Sequence, residues 1–176
     1  MATHNQPYGK YTDKVFLESD SYNIGIVVSE WNAEITQSLL NAALDTLIAK
    51  GVKKQQIVIE YVPGSFELTF GAKSLCETFS FDAVIAIGCV IRGETSHFDY
   101  VCQAVSNGLS NLNVEYENPV IFCVLTDDNI SQSKARSGGD LGNKGTEAAI
   151  SALQMAEIKN RYALPEEQED DFDFLN

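Results

Sequence analysis

Ala83-Val84-Ile85-Ala86-Ile87-Gly88-Cys89-Val90-Ile91-Arg92-Gly93-Glu94-Thr95-Ser96-His97-Phe98-Asp99-Tyr100 joins two well-marked elements. Its first half, through Ile91, is a short apolar run rich in β-branched residues, the pattern of a strand buried on both faces. Beyond it, Phe98, Val101, Cys102, Val105, Leu109 and Leu112 recur on one stripe at helical spacing. A strand, a Gly-containing turn and a helix start follow one another, and open α/β sheets bind ligands at the carboxyl ends of such strands. The helix N-terminus offers unpaired N–H groups and a partial positive charge, which together suit a phosphate or another anion. Gly93 allows close approach of the backbone, Thr95 or Ser96 can cap, and His97 in the first turn can accept or relay a proton. The plainer alternative makes His97 a first-turn residue with a satisfied hydrogen bond.

Three further units have the same form. Ile24-Gly25-Ile26-Val27-Val28 is a strand that leaves through Ser29-Glu30-Trp31-Asn32 into a helix marked by Ile35, Leu39, Ala43 and Leu47 and closed at Lys50-Gly51. Trp31 therefore lies in a strand-to-helix loop, where it either plugs the sheet or offers a flat ring to a planar ligand. Gln56 to Val62 is the next strand, followed by the turn Pro63-Gly64 and a helix with Leu68, Ala72, Leu75 and Phe79 on one face. Ser65 is suited to cap it, with Phe66 and Glu67 in its first turn, although a carboxylate there is favourable without any ligand. The last strand, Val120 to Leu125, leads through Thr126-Asp127-Asp128-Asn129 to a short helix from Ile130 to about Arg136. Ser137-Gly138-Gly139-Asp140-Leu141-Gly142-Asn143 breaks that helix, and a final one runs from Lys144 to about Asn160. Four such repeats predict a parallel, right-handed, three-layer α/β sandwich with all the strand-to-helix loops on one edge.

At 176 residues the chain is long enough for one domain with a real core, here placed at 23–162 between an N-terminal arm (1–22) and an acidic, disordered tail (163–176). The net charge of −13 argues against nucleic acid as a partner. Six carboxylates of the tail, Glu166, Glu167, Glu169, Asp170, Asp171 and Asp173, account for part of it and leave −7 elsewhere. No apolar run reaches the ~20 residues that span a bilayer, and no signal or transit pattern opens the chain, so a cytoplasmic protein is expected. Cys76, Cys89, Cys102 and Cys123 lie in apolar patterns without C-x-x-C spacing and read as buried, reduced thiols. With His4 and His97 the only histidines, and Asp127-Asp128 followed by the capping residue Asn129, no metal site is expected. Neither G-x-G-x-x-G nor a Walker A pattern occurs, which disfavours dinucleotides and nucleoside triphosphates.

Taken together, Val62-Pro63-Gly64-Ser65-Phe66-Glu67, Gly88 to Tyr100 and Gly142-Asn143-Lys144-Gly145-Thr146-Glu147-Ala148-Ala149 resemble the 6,7-dimethyl-8-ribityllumazine synthases, over roughly Ile24 to Ala156. The resemblance implies a flavodoxin-like fold and a transferase that needs no cofactor. Its reaction would condense 5-amino-6-(D-ribitylamino)uracil with 3,4-dihydroxy-2-butanone 4-phosphate, releasing phosphate and water. It implies that Trp31 stacks on the pyrimidinedione, that Ser65, Phe66 and Glu67 contact the ring and ribityl chain, and that Cys89, Val90 and Ile91 offer backbone contacts to the pyrimidine. Glu94 and Thr95 would hold the phosphate through their backbone, and His97 would transfer protons. Phe122 and Arg136 would reach the site from an adjacent subunit, Arg136 to pair with the phosphate, and Lys144 would add a further contact.

The resemblance also implies pentamers, with the N-terminal segment around Lys14 to Leu17 adding a strand to a neighbour's sheet. The short path from Arg136 to Asn143 fits the members that pack twelve pentamers into an icosahedral 60-mer, with riboflavin synthase as a candidate partner. Two departures stand out: Asp140 replaces a Lys found in several members, and Glu94 puts a carboxylate into the phosphate loop, tolerable only if its side chain points away. A flavodoxin-like redox or receiver domain fits less well, because Ser29-Glu30-Trp31-Asn32 is too bulky for a flavin-phosphate loop. The closer rival is a non-catalytic flavin-binding or shell-forming member of the same fold.

Overall fold

The computed structural model describes residues 13–78 and 80–163. Phe79, residues 1–12 and residues 164–176, which hold all but the first residue of the acidic tail, lie outside the described residues.

The predicted units appear in order: β1 (Ile24–Ser29), α1 (Ala33–Ala49), β2 (Ile57–Val62), α2 (Leu68–Thr78), β3 (Ala83–Ile91), α3 (His97–Glu115), β4 (Val120–Asp127) and α4 (Ile130–Arg136), then α5 (Lys144–Tyr162). The four strands form a parallel sheet in the order β2-β1-β3-β4. Ile24 lies opposite Ile57 on one side and Ala83 on the other, and Val84 opposite Val120. The apolar runs explain this order: β1 is buried along its whole length and β3 over all but its last two residues, as central strands of a parallel sheet must be.

Alternation sorts the core into two layers. Ile24, Ile26, Val28, Ile85 and Ile87 pack with Leu39, Ala43 and Leu47 of α1 and Ala149, Ile150 and Leu153 of α5. Val27, Val84, Ala86, Val120 and Val124 face the other way, onto Leu68, Ala72 and Leu75 of α2 and Val105, Leu109 and Leu112 of α3. Each fully buried Leu or Ile contributes ~1.5–3 kcal/mol, so this two-sided burial dominates the stability of the sandwich. Where α5 crosses α1 there is no room for a side chain: a Cβ at Gly145 would sit 1.9 Å from the Leu39 carbonyl oxygen.

Two local features differ from the sequence expectation, and the N-terminal arm adds a third detail. The glycine-rich break folds into a small antiparallel ribbon, β5 (Ser137–Gly139) and β6 (Gly142–Asn143), with Gly138 and Gly142 at φ +112° and +79°, conformations that suit glycine. Ser65 does not cap α2: residues Ser65–Glu67 make a 3-10 turn with Gly64 at its N-cap position, and the buried Ser65 hydroxyl turns inward to donate to the Cys89 carbonyl at 3.5 Å. The described part of the N-terminal arm packs on this chain's own core through Phe16 and Tyr22, and Lys14 to Phe16 are not in a strand. The Ser19 hydroxyl ties that segment to the Phe16 carbonyl (2.9 Å) and to the Lys50 carbonyl at the end of α1. Val15 and Leu17, on either side of Phe16, point outward.

Candidate active site

In the order β2-β1-β3-β4 the chain reverses its direction of winding between β1 and β3, and loops diverge there at the carboxyl edge of the sheet. A cavity of about 660 Å³ occupies that point. Trp31, Ser65, Phe66, Glu67, Cys89, Val90, Ile91, Thr95 and His97 all line it. Sequence distance is removed by the parallel register, which ends β1 and β2 level at Ser29 and Val62, while β3 runs on to Ile91, beyond its last pairing with β1 at Val28 and Ile87.

The aromatic rim is held from behind. The Glu30 and Trp31 N–H groups donate to the Val62 and Pro63 carbonyls at 2.8 and 3.1 Å, lacing the loop after β1 to the end of β2. Asn32 then takes a left-handed conformation (φ 60°), which Asn tolerates better than most residues, and its amide donates to the Cys89 carbonyl at 3.0 Å. The Trp31 ring is left 72% exposed and Phe66 60% exposed. Trp31 is therefore not a plug in the sheet: its ring stands at the cavity with its surface available.

The loop from β3 to α3 has the expected open form. Gly93 carries no strain, and a Cβ there would meet no protein atom within 4 Å. Ser96 occupies the N-cap position of α3 without a side-chain cap bond, while Thr95 Oγ1 accepts from the His97 N–H at 3.4 Å. Glu94 is exposed and does not line the cavity, so its carboxylate leaves the loop free. His97 begins α3 and is exposed at the cavity mouth.

Phe122, Arg136 and Lys144 lie elsewhere. They line a second cavity, about 330 Å³, along β4 between the ends of α4 and α5, and none of its residues is shared with the first. The β5–β6 ribbon explains the pairing of the two cations, since it returns the chain from Arg136 to Lys144. Arg136 Nε stands 3.7 Å from the buried Asp127 carboxylate, and Lys144 Nζ 2.6 Å from Glu147. Phe122, 44% exposed, lies on the face of an edge strand.

A buried polar chain runs under the rim: the Cys89 thiol donates to Ser133 Oγ (3.5 Å), and the Ser133 hydroxyl donates to Asp127 (2.8 Å). Asn129 caps α4 as expected, accepting from the Gln132 N–H at 3.1 Å. Burial pushes the Cys89 thiol up, and pushes Cys76 to about 11 and Cys123 to about 12, so these are inert thiols. All four cysteines are free, Cys102 being only partly buried. Among the described residues, no three His, Cys, Asp or Glu side chains gather to hold a metal ion, and no helix is long and apolar enough to cross a membrane. From the sequence no site role falls to Asn32, Arg92, Phe98 or Asp128, although all four lie in the stretches quoted above.

By its strand order and the place of its cavity, the molecule is a flavodoxin-like α/β protein whose candidate site stands at the reversal of the sheet. Comparison with known proteins narrows that class. Residues 21–160 match the family described as 6,7-dimethyl-8-ribityllumazine synthase, and the chain belongs to that family. Proteins named 6,7-dimethyl-8-ribityllumazine synthase from Flavobacterium johnsoniae and Christiangramia forsetii are each 52% identical to it, over 93% and 90% of this chain and 86% and 95% of their own lengths. One from Parabacteroides distasonis is 53% identical over 88% of this chain and 97% of its own.

Proposed function

We propose that this chain condenses 5-amino-6-(D-ribitylamino)uracil with 3,4-dihydroxy-2-butanone 4-phosphate to give 6,7-dimethyl-8-ribityllumazine, phosphate and water, the lumazine-forming step of riboflavin biosynthesis implied by its family. The observation that carries the assignment of roles is the single cavity in which Trp31, Phe66, Glu67, the Gly93 loop and His97 converge. In this reading the exposed Trp31 and Phe66 rings bracket the flat pyrimidinedione, and Ser65 and Glu67 contact its polar edge and the ribityl chain. The ends of β3 at Cys89, Val90 and Ile91 present backbone groups to the same ring. Phosphate rests on the backbone at Glu94 and Thr95, where the helix N-terminus favours an anion. His97 moves protons during imine formation, phosphate elimination and ring closure, steps that need proximity and proton transfer.

The site is completed by a neighbouring copy. Phe122, Arg136 and Lys144 enter from the β4 edge of the next subunit, Arg136 turning from Asp127 to the phosphate. A pentamer follows, with the N-terminal arm pairing along the β2 edge of the neighbouring sheet, and twelve pentamers close a 60-subunit shell with riboflavin synthase as the candidate partner. Support for the arm comes from the outward Val15 and Leu17 and from β2, an edge strand. The domain spans 23–162 between that arm and the acidic 163–176 tail, and the protein works in the cytoplasm.

Steady-state formation of the lumazine from the two purified substrates tests this reading. His97→Ala lowers kcat without abolishing turnover, by the ~10²–10⁴-fold typical of a lost proton carrier at most. Arg136→Ala raises KM for the phosphate substrate. A folded, assembled protein that makes no product would instead favour the flavin-binding or shell-forming reading.

A further inference from the structure

Arg92 follows directly on β3, and its contacts are unusual for a residue so exposed. Its N–H donates to the Asp127 carbonyl at 2.9 Å, carrying the β3–β4 ladder one step beyond the strand. Its Nε lies 2.9 Å from Asp128 Oδ1, and its two terminal nitrogens lie 3.1 and 3.4 Å from the two oxygens of Asp99. The guanidinium carbon sits 4.1 Å from the centroid of the Phe98 ring. One planar group thus joins three places: the end of β3, the β4–α4 loop at Asp128, and the first turn of α3 at Phe98 and Asp99. Bidentate pairing and ring stacking are the geometry that a guanidinium offers and an ammonium does not.

The loop spanned by these contacts has little else to fix it. Ser96 makes no side-chain cap bond, Thr95 gives one long hydrogen bond, and a Cβ added at Gly93 would meet no atom within 4 Å. Arg92 is also poorly placed to bind an anion itself, because both ends of its guanidinium are already taken by carboxylates. We propose that Arg92 is a positioning residue: by clamping Phe98 and Asp99 to Asp128 it sets the first turn of α3, and with it His97 and the Gly93–Thr95 backbone, in the orientation the phosphate-bearing substrate requires. The inference rests on the reading above that this loop holds phosphate.

The test compares wild type with Arg92→Gln, Arg92→Lys and Asp128→Asn, reading kcat, KM for each substrate separately, assembly and melting temperature. Arg92→Gln lowers kcat on the order of tenfold and raises KM for the butanone phosphate, within the ~10²-fold that a 1 Å misplacement can cost. KM for the ribitylaminouracil changes less than twofold, because the Trp31 and Phe66 loops are laced to β2 and owe nothing to Arg92. Arg92→Lys recovers part of the loss, retaining the charge without the fork. Asp128→Asn changes the same two parameters in the same direction by a smaller factor, and as an exposed substitution it decides the matter should Arg92→Gln fail to assemble. Unchanged kinetics, or equal rises in both KM values with a lowered melting temperature, would overturn the proposal in favour of a purely structural role. Calorimetric titration with inorganic phosphate supplies a readout without turnover. Several-fold weaker binding in Asp128→Asn supports the clamp and equal binding refutes it, even if the wild type makes no lumazine and the proposed reaction itself falls.

Discussion

Gly145→Ala should destabilise this protein, against the usual preference of helices for alanine. Gly145 is the second residue of α5, where alanine would ordinarily gain ~1 kcal/mol over glycine. Its added Cβ would stand 1.9 Å from the carbonyl oxygen and 2.7 Å from the carbonyl carbon of Leu39, in the middle of α1. Carbon and a carbonyl oxygen meet at ~3.3 Å, so α5 has to withdraw by more than an ångström from a backbone atom that cannot rotate aside. That withdrawal loosens Leu39, Ala149, Ile150 and Leu153, all fully buried. Overpacking costs ~1–3 kcal/mol and exceeds this where only backbone can yield, which leaves a net loss of ~2 kcal/mol after the helix gain. At ~2–4 °C per kcal/mol for a domain of this size, the melting temperature falls by ~4–8 °C. The assay is calorimetric melting of both proteins at one concentration, since assembly adds a mass-action term. A melting temperature equal to or above wild type would refute the claim that the α1–α5 crossing is set by backbone contact.

Two further outcomes are expected. Gly93→Ala, whose Cβ meets nothing within 4 Å, leaves the melting temperature unchanged but raises KM for the phosphate substrate; lost stability with unaltered KM would show that the glycine serves the fold and not a ligand. Stability declines at alkaline pH because burial raises Cys76 to about 11 and Cys123 to about 12, so the folded chain keeps protons that the unfolded one releases near the ordinary thiol value of ~8.5. Their contribution is intact below that value and is lost as pH rises through 11 and 12; a melting temperature that stays level between pH 8 and pH 10.5 would contradict it.

The strands and the rim of the cavity were legible because they depend on local pattern. Unbroken apolar runs such as Ile24 to Val28 belong only in the middle of a parallel sheet, and short connections then force Trp31, Phe66 and His97 to one edge. Orientation was less legible. Ser65 carries the residue type of a cap yet turns to Cys89, a partner twenty-four positions away. Asp127 and Asp128 look like a pair of capping residues but diverge, one to Arg136 and Ser133, the other to Arg92. Such choices are made by neighbours that pattern cannot reveal. The division of the predicted residues between two cavities is of the same kind, since it follows from where the β5–β6 ribbon returns the chain.

That division has a geometric consequence. The rim cavity and the β4 cavity are different surfaces of one chain, so a copy that offers its β4 edge to another's rim without receiving a β4 edge in return makes a head-to-tail contact. In an open row of such copies one rim and one β4 edge always stay unmatched, and the row holds one complete site fewer than its chains. Only a closed cycle makes the two numbers equal. If a complete site takes both surfaces, as proposed, activity per chain becomes a gauge of closure, rising with the length of the row and levelling once its ends meet.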